Sequence, residues 1–208
     1  NMTNAQYQNQ SDEILCTLTA SGDRIAEEAL VTRYNRLVRI CARPFFLAGG
    51  DSEDLIQEGM FGLLNAIREF QPERDASFRT FAEICIRNRI LSAVAAAARD
   101  KHAPLNDSIS FETPFFDDYT ERLEKPSERD DPEALLISRE EQMERLGQLR
   151  GQLSGFEATV LDYYLQGYSY HEIARQIGRS TKSVDNAVQR IRRKIAQRTS
   201  SSGVFSES

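Results

Sequence analysis

Apolar residues recur along this chain at intervals of three and four, and alternating runs are almost absent, so the pattern predicts helices throughout and an all-α fold. Ser11 to Thr19 predicts a short helix. Asp23 caps a longer one through Cys41 and Arg43, which Pro44 and Gly49-Gly50 are expected to break. Ser52 caps the next helix, running to about Phe70. After a turn at Pro72, Ser77 opens a long helix through Arg99. In that helix Phe78, Phe81, Ile84, Cys85, Ile86, Ile90 and Leu91 predict a core stripe, while Arg87, Asn88, Arg89, Ser92 and Arg99 project elsewhere as a basic face. Periodicity fails from Lys101 to Pro132, resumes near Glu133 and continues to Leu149. Ser154 then caps a helix from Gly155 to Leu165, and the tail Thr199 to Ser208 is expected to be disordered.

The segment Ser169 to Ile195 carries the sharpest local pattern. Two closely crossing helices need a small residue at the contact, which Ala174 supplies. The tight turn between them needs a residue that accepts a left-handed backbone, and Gly178 stands four positions on. A second helix starts at Ser180 or Thr181 and turns Val184, Ala187, Val188 and Ile191 toward Ile173 and Ile177. Its polar side bears Lys182, Ser183, Asp185, Asn186, Gln189 and Arg190, and the helix runs on into Arg192, Arg193, Lys194 and Arg198. Asn and Gln can bond adenine bidentately, Lys reaches guanine and a terminal basic cluster neutralises phosphates, so the unit is a helix-turn-helix suited to reading DNA.

Composition confines where DNA can bind. The net charge is −6 and the isoelectric point about 5.1, which argues against coating nucleic acid by bulk electrostatics. The charge is segregated instead: Glu112 to Glu144 holds twelve acidic and four basic residues, Gln166 to Arg198 eight basic and two acidic. The apolar fraction of 40% is enough for packed cores. Cys16, Cys41 and Cys85 are odd in number and set among apolar neighbours, which predicts reduced core thiols of an intracellular protein. No apolar run reaches the length of a membrane span and no basic-then-apolar signal opens the chain, so a cytoplasmic protein is expected. Asn1, ahead of Met2, reads as a residue added before the natural start.

Two separated segments extend the picture. Asp54-Leu-Ile-Gln-Glu-Gly59 followed by MFGLLNAIREF, and Phe78-Arg-Thr-Phe-Ala82 ending in RDKHAPLN, resemble the second conserved region of bacterial sigma-70 family sigma factors; Leu153 to Ile195 resembles the fourth region. The likeness is greatest to the sporulation or stationary-phase sigma-H type. It implies three parts. Residues 2–103 would bind core polymerase and recognise and melt the minus-ten element, 104–132 would be a linker, and 133–199 would be the helix-turn-helix module reading the minus-thirty-five element, ahead of a disordered 200–208 tail. It also implies that Asp54, Gln57 and Glu58 dock on the β′ coiled coil, that Phe78, Phe81, Arg87, Asn88, Arg89, Ser92, Arg99 and Lys101 meet minus-ten DNA, and that Phe81 stacks on a flipped base. Arg175, Arg179, Thr181, Lys182, Ser183, Asn186, Arg190 and Arg193 are the implied minus-thirty-five contacts, beside the β flap. The linker Asn106 to Asp131 would thread toward the active-site cleft. No first-region inhibitory domain is expected before Met2, and the sequence between the modules is too short for a third-region domain. Core RNA polymerase and promoter DNA are the implied partners, with room for an anti-sigma factor and no role for a membrane.

One departure stands out. Housekeeping factors carry a Trp pair that wedges against the duplex edge, where this chain has Ile84 and Cys85, and it contains no Trp at all.

An enzyme finds little support. His171-Glu172 opens like a zinc-protease motif, but Arg175 replaces the second His and His102 is the only other histidine. No phosphate-binding glycine loop, metal-ligand spacing or nucleophile elbow is present, so neither catalysis nor a cofactor nor a metal is expected. The other rival is a free-standing helix-turn-helix transcriptional regulator, which accounts for the C-terminal module but not for the DLIQEG and FRTFA segments.

Overall fold

The computed structural model describes residues 3–47, 52–72, 76–100 and 147–202; the expected linker and Lys101 lie outside them. All regular structure among the described residues is helical, as the apolar spacing requires: α1 (Asn4–Gln8), α2 (Asp12–Ala20), α3 (Arg24–Leu47), α4 (Ser52–Glu69), α5 (Phe78–Asp100), a short helical segment 147–152, α6 (Gly155–Leu165), α7 (Tyr170–Ile177) and α8 (Thr181–Ser202). They form two compact units, one built mainly from α1–α5 and the other from 147–152 and α6–α8.

Within the first unit, α3, α4 and α5 enclose the core. Leu30, Val38, Leu63, Ala66, Phe78, Ala82, Ile86 and Ile90 are essentially inaccessible to water. Gly59 and Gly62 let α4 approach its neighbours closely. A β-carbon on Gly59 would meet Val38 at 2.8 Å, and one on Gly62 would meet the Cys85 carbonyl oxygen at 2.7 Å. The helices α1 and α2 are fastened to α3 by polar contacts. Ser11 caps α2 by accepting from the Ile14 N–H, and Asp23 caps α3 by accepting from the Ile25 and Ala26 N–H groups while also accepting from the Tyr7 hydroxyl at 2.6 Å. Arg33 donates to Asp12 at 2.6 Å and to the Gln8 and Gln10 carbonyls at 2.9 Å, and the Tyr34 hydroxyl also donates to Asp12.

Three expectations are corrected. Pro44 does not end α3, which continues to Leu47; the missing N–H costs one hydrogen bond, and the burial of Ala42, Pro44 and Phe46 outweighs it. The core stripe of α5 is Phe78, Ala82, Ile86 and Ile90, a four-residue spacing, whereas Ile84 and Leu91 are 37% and 50% exposed. The C-terminal helix extends to Ser202, so residues 200–202 are helical rather than disordered; Arg198, in its last turns, donates to the Gln148 side chain at 2.6 Å. Residues 203–208 lie outside the described part.

In the second unit, Ser154 caps α6 and Ser169 caps α7, each through a capping box with a glutamate three residues on. The Ser154 N–H donates to Glu157 at 3.1 Å and the Ser169 N–H to Glu172 at 2.7 Å. Glu172, which next to His171 suggested a metalloprotease, is therefore a capping residue. Gly178 takes the left-handed conformation at φ 64° and closes α7, with Arg179 N–H donating to the Ala174 carbonyl at 3.0 Å. Ser180 caps α8 by accepting from the Ser183 N–H at 3.2 Å. Ile173, Val184, Ala187, Val188, Ile191 and Ile195 are buried in the core of this unit with Val160, Leu161 and Tyr164 of α6.

Candidate nucleic-acid interface

In a helix, residues separated by four and seven positions share a face. On α8 this puts Lys182, Asn186 and Arg193 in one line, with Gln189 between them, opposite the buried row of Val184, Val188, Ile191 and Ile195. All three are exposed, as are Thr181 and, on α7 and the turn, Arg175 and Arg179. The Arg179 guanidinium stands 6.0 Å from the centre of the Phe156 ring, and the Ser183 and Ser180 hydroxyls lie 2.9 Å apart.

Arg190 is placed differently. Four residues after Asn186, it lies at the edge of that face and donates to Glu157 at 3.0 Å, while Lys194, one turn later, donates to the same carboxylate at 2.6 Å and to the Gln152 carbonyl. Glu157 is 4% exposed. Burial alone would raise its pKa, but hydrogen bonds from Lys194, the Ser154 N–H and Arg190 prevail, and the carboxyl titrates below its ordinary range. One glutamate thus caps α6 and ties α6 to α8. Sequence reading missed this role, although the Ser154 to Glu157 spacing was legible.

On α5, Arg87, Asn88 and Arg89 follow one another and so point three ways. Arg87 turns inward, where it pairs with buried Glu83 at 3.3 Å and lies beside the Cys41 thiol. Burial pushes that thiol up to about 12, so Cys41 is a protonated core residue. Asn88 is exposed, and with Ile84 and Leu91 it forms the outward stripe; Ser92 is exposed beside it. Arg89 leans toward α4 and donates to Glu58 at 2.6 Å. Phe81 is half-buried, its ring centre 5.9 Å from that of Phe70. Phe78 does not reach the surface: it is wholly buried, edge-on to Tyr34 and Phe70, and has no face left for a base. The side chain of Arg99 and all of Lys101 lie outside the described residues.

The outer face of α4 carries exposed Asp54 and Gln57, half-exposed Glu58 and, one turn on, Phe61 at 45% exposure. Phe61 was not singled out from the sequence, yet its place seven residues after Asp54 puts it on that face. Among the described residues there is no group of His, Cys, Asp and Glu side chains arranged to hold a metal, and no helix long and apolar enough to cross a membrane.

A capped helix-turn-helix whose exposed face carries Lys182, Asn186, Gln189 and Arg193 is the form of a DNA-binding protein. Family comparison specifies which. Residues 30–100 match the Sigma-70 region 2 model and 151–195 the Sigma-70 region 4 model. RNA polymerase sigma-H factors of Bacillus licheniformis and Bacillus subtilis (strain 168) are each 40% identical, over 88% and 91% of this chain and 84% and 89% of their own lengths. A solved structure of the RNA polymerase sigma-H factor from Fusobacterium nucleatum is 33% identical, covering 74% of this chain and 99% of its own, with a TM-score of 0.32. The chain belongs to the sigma-70 family of RNA polymerase sigma factors and is similar to the sigma-H factors within it. It is an alternative sigma factor, which binds core RNA polymerase and directs promoter-specific transcription initiation. A free-standing regulator is not favoured, because it leaves the match over 30–100 without a role.

Proposed function

We propose that this sigma factor divides its work by module, with 2–103 docking on core polymerase and capturing the minus-ten strand, 104–132 serving as a linker, and 133–199 reading the minus-thirty-five element. Asp54, Gln57 and Glu58 dock on the β′ coiled coil. Asn88 and Ser92 face the minus-ten duplex and the half-buried ring of Phe81 stacks on an unpaired base. Lys182 and Asn186 read minus-thirty-five bases from the α8 line, while Arg175, Arg179 and Arg193 hold phosphates beside the β flap. Arg87 and Arg190 act mainly as ion-pair partners of Glu83 and Glu157. The protein works in the cytoplasm, non-catalytically, and an anti-sigma factor would act by covering the docking face.

The observation that carries this reading is the exposed line of Lys182, Asn186 and Arg193 on a helix whose apolar row is fully buried. Run-off transcription with core alone, chain alone and both together tests it. Transcripts that require both, disappear with Glu58→Lys and lose minus-thirty-five dependence with Asn186→Ala support it. Tight duplex binding by the chain alone, with nothing added by core, would sink it.

A further inference from the structure

We infer that the polymerase-docking surface of the first unit extends beyond Asp54, Gln57 and Glu58 to Phe61 and Arg89, with Phe61 as its apolar anchor and Arg89 serving polymerase rather than DNA. The inference rests on the docking role proposed for Glu58. Phe61 is an aromatic side chain left 45% exposed on the same helical face as Asp54 and Gln57. Exposed aromatics amid polar residues are the common anchors of protein interfaces, since they bury much area for little entropy. The Arg89 guanidinium lies 5.9 Å from the centre of that ring and donates to Glu58 at 2.6 Å, so the ring, the carboxylate and the guanidinium form one continuous patch across α4 and α5.

Charge decides between the two partners of Arg89. A phosphate approaching this guanidinium meets the Glu58 carboxylate already within hydrogen-bonding distance, and the like charges repel. Asn88 and Ser92, on the outward side of α5, are exposed. A polymerase surface offering a cation to Asp54 and Glu58, an apolar side chain to Phe61 and an acceptor to Arg89 complements the patch at every point. The ion pair is half-exposed and individually weak, so its contribution is to hold the Glu58 carboxylate in position.

The test is anisotropy titration of labelled full-length chain with core RNA polymerase, together with the salt dependence of promoter binding by the assembled holoenzyme. Thermal melting checks that each variant folds. Phe61→Ala is expected to weaken core binding by about tenfold or more, with Phe61→Leu recovering much of it. Arg89→Gln is expected to weaken core binding by about threefold to tenfold, leaving the salt slope of promoter binding unchanged. Parental core affinity in Phe61→Ala, or an Arg89→Gln variant with parental core affinity and a salt slope lower by about one, overturns the inference. If Glu58→Lys itself binds core normally, the docking reading has failed; if only Phe61→Ala and Arg89→Gln do, the extension alone has.

Discussion

Gly62 lies so close to the backbone of Ile86 that a β-carbon at Gly62 would stand 2.8 Å from the Ile86 Cα. Backbone cannot rotate away as a side chain can, so Gly62→Ala must push α4 and α5 apart. Overpacking of this kind costs roughly 1–3 kcal/mol, read as a lower urea midpoint. The nearest atom to the equivalent position on Gly59 is a Val38 methyl, also at 2.8 Å, which can shift with its rotamer, so Gly59→Ala should cost less. Equal losses at the two positions would show that contact with backbone is not what matters. Since Glu58 and Arg89 lie on these two helices, Gly62→Ala should weaken core binding as well.

Glu157 makes the second unit sensitive to acid. Its folded-state pKa lies below the ordinary 4.5, so the stability it contributes is fully present above that value and is lost as pH falls through the lower, folded one. Unfolding free energy of the second unit, followed from about pH 6 to pH 3, should fall more steeply in the parent than in Glu157→Gln. At neutral pH Glu157→Ala should cost about 1–3 kcal/mol, since it removes the acceptor of the Ser154 N–H in the capping box and the shared partner of Arg190 and Lys194. A parental slope in Glu157→Gln would rule out this carboxylate as the source.

The N-terminal helices are held by polar contacts as well as by buried Tyr7, Leu15 and Cys16. Arg33→Ala removes hydrogen bonds to Asp12, Gln8 and Gln10 at one stroke. Hydrogen exchange in 3–20 should accelerate while α5 keeps its protection, with a global cost of about 1–2 kcal/mol. Asp23, whose carboxyl is held low chiefly by the Tyr7 hydroxyl, belongs to the same clasp, and its contribution too is present above the ordinary carboxylate range and lost below it. Unchanged exchange in 3–20 would mean that α1 and α2 are held by their apolar side alone.

These contrasts mark how far the sequence could be read. Helix starts were legible because Ser11, Ser77, Ser154, Ser169 and Ser180 satisfy orphan N–H groups locally, and Gly178 announced its left-handed turn. The apolar row of α8 emerged as expected because its helix packs on one side only. On α5 the pattern was ambiguous: it has apolar residues on nearly every side, and only the packed helices reveal that Ile86 is inside and Leu91 outside. Charged residues were hardest to place. Arg87, Arg89 and Arg190 look alike in sequence, yet each meets a glutamate from a different position, and those meetings depend on chain separations of 4, 31 and 33 residues.

On the minus-ten role proposed for α5, stringent promoter use is the expected outcome of what that helix presents outward. Ile84, Asn88 and Leu91 occupy its exposed stripe, and Ile84 with the partly exposed Cys85 stands where the family resemblance places a Trp pair. Unstacking a base step costs a few kcal/mol, and an aliphatic side chain of this size recovers less of it than an indole, which stacks for about 1–3 kcal/mol per base. On that reading, opening is expected to draw more of its driving force from correct minus-ten bases. Single-base substitutions in that element should nearly abolish open-complex formation, measured by permanganate reactivity of unpaired thymines. Ile84→Trp should restore part of it on the substituted promoters while changing little on the best one. Broad tolerance by the parent, or no gain from the added indole, would separate stringency from the size of this wedge.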